Sequence, residues 1–180
     1  MSGKNTICVL TGLLLAACFS TPNHGECAVA AEYEIKAAFL LNFAKFVDWP
    51  ASSFADRDSP MVIAVLGSDP FGSVLDNTLR NEKVKGRKLV VKRSNQLSDL
   101  KGCHILFVSS SEHSRLGSII QEVKDQPVLT VGDVAGFADR GGIVNFILRD
   151  RKIGFEINTS AADKAGLKIS SQLLKLARIV

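Results

Sequence analysis

Apolar positions recur at helical spacing from Tyr33 to Pro50. Stepping about 100° per residue, Leu40, Phe43 and Val47 fall in one stripe, and Glu34, Asn42, Lys45 and Asp48 make a narrow polar face opposite. Lys36 falls in the apolar stripe. It must therefore either bend to solvent from the first turn or be paired, because an unpaired buried charge is very costly. A lysine near a helix N-terminus also opposes the macrodipole, which argues for a compensating acid.

Downstream, short apolar runs alternate with amphipathic segments. Pro60 to Gly67, Leu89 to Val91, Ile105 to Val108 and Pro127 to Val131 read as strands. Ser68-Asp69-Pro70 opens a helix with Phe71, Val74, Leu75 and Leu79 on its buried face, and Leu97 and Leu100 mark a brief helical turn. Ser109-Ser110-Ser111-Glu112 leads into a helix carrying Leu116, Ile119, Ile120 and Val123. After Gly132, Ile143 to Leu148 and Ile153 to Ile157 flank Arg149-Asp150-Arg151-Lys152 and predict an antiparallel hairpin. Asn158 is placed to cap a helix from Thr159 to Gly166, and Ser170 to cap a last helix with Ile169, Leu173, Leu176, Ala177 and Val180 along its stripe. These elements predict a single α/β domain with a mostly parallel central sheet, helices on both faces, and a C-terminal antiparallel hairpin and helix.

The N-terminal segment has a different character. Lys4 precedes an apolar stretch from Ile7 to Phe19, the pattern of an export signal and too short to span a bilayer. Two processing sites compete. Ala28-Val29-Ala30 predicts cleavage after Ala30, whereas Leu15-Ala16-Ala17-Cys18 resembles a lipobox that would place a lipid on Cys18 and tether the chain to a membrane. The division is thus an export signal over 1–30 and a domain over 31–180, with soluble export to the periplasm favoured.

Of the four cysteines, only Cys103 lies inside the domain. Cleavage after Ala30 leaves no internal disulfide, even in an oxidising compartment. Cys103 opens an apolar run and reads as a small hydrophobe; His104 beside it points to the opposite face of a strand. The formal net charge of +4 is too small to imply a nucleic-acid partner. The basic stretch Arg80, Lys83, Lys85, Arg87, Lys88, Lys92 and Arg93 reads as a charge-protected loop and edge strand.

No phosphate loop, nucleophile elbow or spaced metal-ligand set is present, so no catalytic residue, metal or cofactor is assigned. A binding crevice is the better candidate, because ligands of open parallel sheets sit beyond the carboxyl ends of the strands. Gly67, Ser68, Ser109, Ser110, Ser111 and Asp133 occupy those ends, as contacts for a ligand or partner or as ordinary caps and turn formers. Lys36, Asn145, Glu156 and Asn158 form the expected structural polar set. Within it, Glu156, between Phe155 and Ile157, is the expected counter-ion of Lys36.

Two blocks of the chain are unusual in composition. The first is Tyr33 to Pro50. The second runs from Gly141-Gly-Ile-Val-Asn-Phe through Phe155-Glu-Ile-Asn158 to Gly166-Leu-Lys-Ile-Ser-Ser-Gln-Leu-Leu-Lys-Leu-Ala177. Together they resemble the YfiR family of bacterial periplasmic regulators. The resemblance implies an exported α/β domain that binds the periplasmic sensor region of an inner-membrane diguanylate cyclase and inhibits it, lowering cyclic di-GMP and biofilm formation. It also implies paired cysteines in redox-sensing members, a feature this domain lacks. Two other readings stand beside it: a periplasmic small-molecule-binding protein, and an accessory domain of another membrane sensor such as a histidine kinase. The sequence leaves the oligomeric state open, a homodimer included, and gives membrane contact only through lipidation.

Overall fold

The computed structural model describes residues 24–149 and 152–180. In chain order these form α1 (His24–Phe46), β1 (Val47–Asp48), β2 (Met61–Leu66), α2 (Ser73–Leu79), β3 (Lys83–Val84), β4 (Arg87–Ser94), β5 (Ile105–Val108), α3 (Leu116–Val123) and β6 (Leu129–Gly132). They continue with β7 (Val144–Arg149), β8 (Lys152–Ile157), α4 (Thr159–Lys164), β9 (Lys168–Ile169), α5 (Ser171–Leu174) and β10 (Arg178–Ile179). Short 3-10 turns precede β5 at Leu97–Leu100 and α3 at Ser110–Arg115.

Eight strands make the main sheet, in the order β10-β8-β7-β6-β5-β2-β4-β3. The run β4-β2-β5-β6-β7 is parallel, and β8 turns back against β7 with Phe146 opposite Phe155 and Asn145 opposite Glu156. Parallel strands need both faces covered, and the alternation of side chains divides the core accordingly. Ile63, Val65, Ile105, Phe107 and Val131 face one layer, which holds α1, α2, α4 and α5. Ala64, Leu66, Leu106 and Val108 face the other, where Leu116, Ile119, Ile120 and Val123 of α3 are all buried. On this second face Phe137 lies against Gly132 and Gly142, where an added Cβ would come within 2.4 and 2.1 Å of its ring.

The stripe read from α1 is the one that packs. Lys36, Leu40, Phe43 and Val47 are buried, while Glu34, Asn42, Lys45 and Asp48 are exposed. Phe39 and Phe43 meet Phe146 and Phe155 of the hairpin at centroid distances of 5.1–6.0 Å. The helix begins at His24, upstream of the predicted start near Tyr33. Ala30 lies within it and is exposed; Cys18 and the apolar leader fall outside the described residues.

Three expectations change. The helix after Pro70 begins only at Ser73, because Asp69 first closes a turn by accepting the Phe71 N–H at 2.8 Å. The last helix stops after one turn, and the chain then pairs with β8 as the edge strand β10. Leu173 is buried as predicted, but Leu176 is 73% exposed and Val180 44%. Finally, β3 and β4 form a tight hairpin through Lys85 and Gly86, both at positive φ (52° and 83°), as a two-residue primed turn requires. Lys85 is held there by the Val47 carbonyl and Asp48.

The counter-ion of Lys36 is not Glu156. Lys36 is 4% exposed and pairs with Asp133, just past β6, at 2.9 Å, and with Glu32 one turn back at 2.6 Å. Strand alternation excludes the expected partner: Phe155 and Ile157 of β8 face α1, so Glu156 between them faces away. Asp133 also accepts the Tyr33 phenol at 2.8 Å. Burial, with Asp133 and Glu32 nearby, raises the Tyr33 pKa above its ordinary value, so the phenol stays a donor.

His104 closes the opposite end of the sheet. Its Nδ1 accepts the Val62 N–H at 3.0 Å, so Nε2 carries the proton and donates to the Ser53 carbonyl at 3.1 Å. Phe54 stacks on the ring at 4.3 Å, and the Arg87 guanidinium lies over the Phe54 ring at 3.8 Å. Burial holds the imidazole pKa below its ordinary value.

Two outcomes follow from these contacts. Lys36→Ala leaves Asp133 buried without its cation and is expected to lower unfolding free energy by about 3–5 kcal/mol in urea titration; Lys36→Met, which keeps the stem, is expected to cost less. An unchanged denaturation midpoint for Lys36→Ala would refute the buried pair. For His104, the unfolded chain takes up a proton near pH 6.5 while the folded chain resists it. Its contribution to stability is therefore full above that pH and declines as pH falls below it. His104→Gln should flatten this part of the stability–pH profile, and an identical slope in both proteins would contradict the assignment.

Candidate functional site

The residues assigned to the strand ends separate into two groups. Gly67, Ser68, Ser109 and Ser111 come together beyond β2 and β5. Ser109 is buried and caps the 3-10 turn by accepting the Ser111 N–H at 3.4 Å; Ser111 Oγ accepts the Ser68 N–H at 3.0 Å. Glu112, also buried, closes over them and is held by Arg115 Nε at 2.8 Å. Gly67 sits at φ +91°, and a Cβ there would approach Ser111 Oγ to 2.4 Å and Glu112 Oε1 to 2.7 Å. Ser109 and Ser111 therefore form a capping network packed on a glycine. Ser110 stands exposed at its rim.

Asp133 belongs to the second group. It turns toward α1 and is engaged by Tyr33 and Lys36. Its role is thus the tie between helix and sheet described above. Asp133 Oδ1 and Asn145 Oδ1 are both buried and lack a hydrogen-bond partner among the described residues.

Asn145 and Glu156 are cross-strand partners on the face away from α1. Asn145 Nδ2 donates to Glu156 Oε1 at 2.9 Å, and Arg178 of β10 donates through Nε to Glu156 Oε2 at 3.0 Å. Glu156 therefore fastens the edge strand to the hairpin. Asn158 caps α4 by accepting the Ala161 N–H at 2.9 Å, and its amide donates to the Ala138 carbonyl at 3.0 Å.

Cys103 is buried, and burial pushes its thiol up to about 12, so the reactive thiolate is scarce at neutral pH. Among the described residues no group of three or more His, Cys, Asp and Glu is placed to hold a metal ion. No described helix is long and apolar enough to cross a membrane.

Two hollows open where the sheet begins. One, of about 300 Å³, lies beside Leu97, Leu100 and Cys103. The other, of about 260 Å³, lies between α3 and α4 under the first residues of β6 and β7. Its floor is apolar, from Ile120, Val123, Ile143 and Ala165, and its rim carries Lys124, Arg140 and Lys164. Sequence reading passed over this hollow because its cations come from three segments whose proximity depends on the fold.

No curated protein matches the chain. Among solved structures, a conserved domain protein from Vibrio cholerae O1 biovar El Tor aligns over 82% of this chain and 59% of its own, at 11% identity and a TM-score of 0.49. An ABC domain from Streptococcus pneumoniae, solved in complex with L-Trp, aligns over 67% and 56% at 12% identity and a TM-score of 0.45. The chain thus spans under two thirds of either protein. The family model described as YfiR/HmsC-like matches residues 33–178, from the aromatic that engages Asp133 to the arginine that engages Glu156. The chain belongs to the YfiR/HmsC-like family.

Proposed function

We propose that the protein is a non-enzymatic periplasmic regulator that binds the sensor region of an inner-membrane diguanylate cyclase and holds it inactive, lowering cyclic di-GMP and biofilm formation. The family match over residues 33–178 carries this reading. In this reading residues 1–30 act as the export signal and 31–180 as the regulator. Such a protein works by binding one state of its partner better than the other, the sole means by which binding shifts an equilibrium.

Two features of the molecule agree with action by grip. Asp133, Ser109 and Ser111, at the carboxyl ends of the strands, are engaged as ties and caps. Apolar side chains stand out at the sheet edge formed by β10, with Leu176 73% exposed and Ile179 49%. An open edge with apolar side chains is a surface suited to pairing with another protein.

Deletion of the gene is expected to raise cyclic di-GMP, and co-deletion of the cognate cyclase to abolish the rise. Ile179→Lys is expected to reproduce the deletion while leaving the melting temperature unchanged. Nucleotide levels that stay constant in the deletion strain would overturn the proposal. A fully repressing Ile179→Lys protein would remove β10 from the binding surface.

A further inference from the structure

We infer that the hollow between α3 and α4 is a binding site for a small organic anion, an apolar body bearing one carboxylate or phosphate. The inference stands apart from the regulator reading, since it rests on this hollow alone.

Size sets the first limit. A cavity of about 150 Å³ lined by apolar side chains is large enough for benzene. The 260 Å³ here accommodates one ring or short alkyl chain together with a charged group. The floor supplies the apolar contact: Ile120, Val123 and Ile143 are buried side chains that still line the opening.

Charge sets the second. Lys124 follows α3, Arg140 precedes β7, and Lys164 ends α4, so three separate segments bring a cation to one rim. None of the three makes an ion pair among the described residues. No acidic side chain lines the hollow. Glu122, Asp125 and Asp163 belong to the same stretches of chain but stay outside its lining. Concave sites lined by one sign of charge concentrate ions of the other sign. The same asymmetry disfavours a zwitterionic amino acid, whose ammonium would face cations without a compensating carboxylate.

Hydrogen bonding sets the third. Thr130, buried at the base, accepts the Ile143 N–H at 2.9 Å. That leaves its own proton without an acceptor among the described residues, available to an anion. Asn158 beside it is already oriented by Ala161 and Ala138, so the wall is fixed before a ligand arrives.

The test is an NMR titration of the purified full chain with phenylacetate, phenyl phosphate and phenethylamine. Both anions are expected to give saturable shifts at Ile120, Thr130 and Ala161 below about 10 mM, with the tighter of the two identifying the favoured charged group. The amine is expected to give none. The double variant Lys124→Glu/Lys164→Glu changes only exposed side chains and should weaken anion binding roughly tenfold or more, with the melting temperature preserved. Arg140→Gln, a separate surface change, should weaken it less. Saturation by neither anion, equal binding of the amine, or native affinity in both variants would each overturn the inference.

Discussion

A lysine on the sheet-facing side of α1 requires a counter-ion at one fixed place, and Asp133 at the end of β6 supplies it. The pair is buried, so it fixes both the rotation of α1 about its axis and its position along the sheet. A slip of one residue would carry Lys36 off Asp133 and turn Phe39 and Phe43 away from Phe146 and Phe155. The ionic contact and the aromatic cluster therefore specify the same register from opposite ends of the contact. Tyr33 adds a second restraint, because its phenol shares Asp133 while its ring meets Phe71 edge-on at 5.2 Å. A buried pair of this kind contributes more to uniqueness of packing than to net stability, since desolvation offsets much of the attraction.

The far end of the sheet is closed by a neutral group instead. His104 receives a backbone N–H from β2, and its own carbonyl accepts from Trp49 and Leu129. One residue thus gathers β2, β6 and the segment after β1 at the start of β5. The contact with β2 depends on the ring staying unprotonated at Nδ1, the atom that accepts the Val62 N–H.

Much of this was legible from residue order. The stripe of α1, the strand at Ile105–Val108, the four buried positions of α3, the hairpin and the Asn158 cap all express periodicity or local hydrogen bonding, which neighbouring residues settle among themselves. The partner of Lys36 differs from the expected Glu156, although Phe155 and Ile157 on either side already show which way Glu156 must point. The tight turn at Lys85–Gly86 was missed because lysine rarely adopts positive φ, and a salt bridge to Asp48 supports it here. The last helix was overextended because Leu173, Leu176, Ala177 and Val180 fit a helical stripe as well as a turn followed by a strand. The free edge of β8 decides between them, and that edge exists only once the sheet has formed.

By itself the sequence determined which segments are helical or extended, which side of each is buried, and that both sheet faces are covered, because these follow from side-chain spacing along a single element. Tertiary structure alone decided which acid meets Lys36, how the chain finishes, that the strand-end serines pack on Gly67, and that Lys124, Arg140 and Lys164 share one rim. Each of these joins residues far apart in the chain, and their distance is set by strand order and helix placement rather than by local preference.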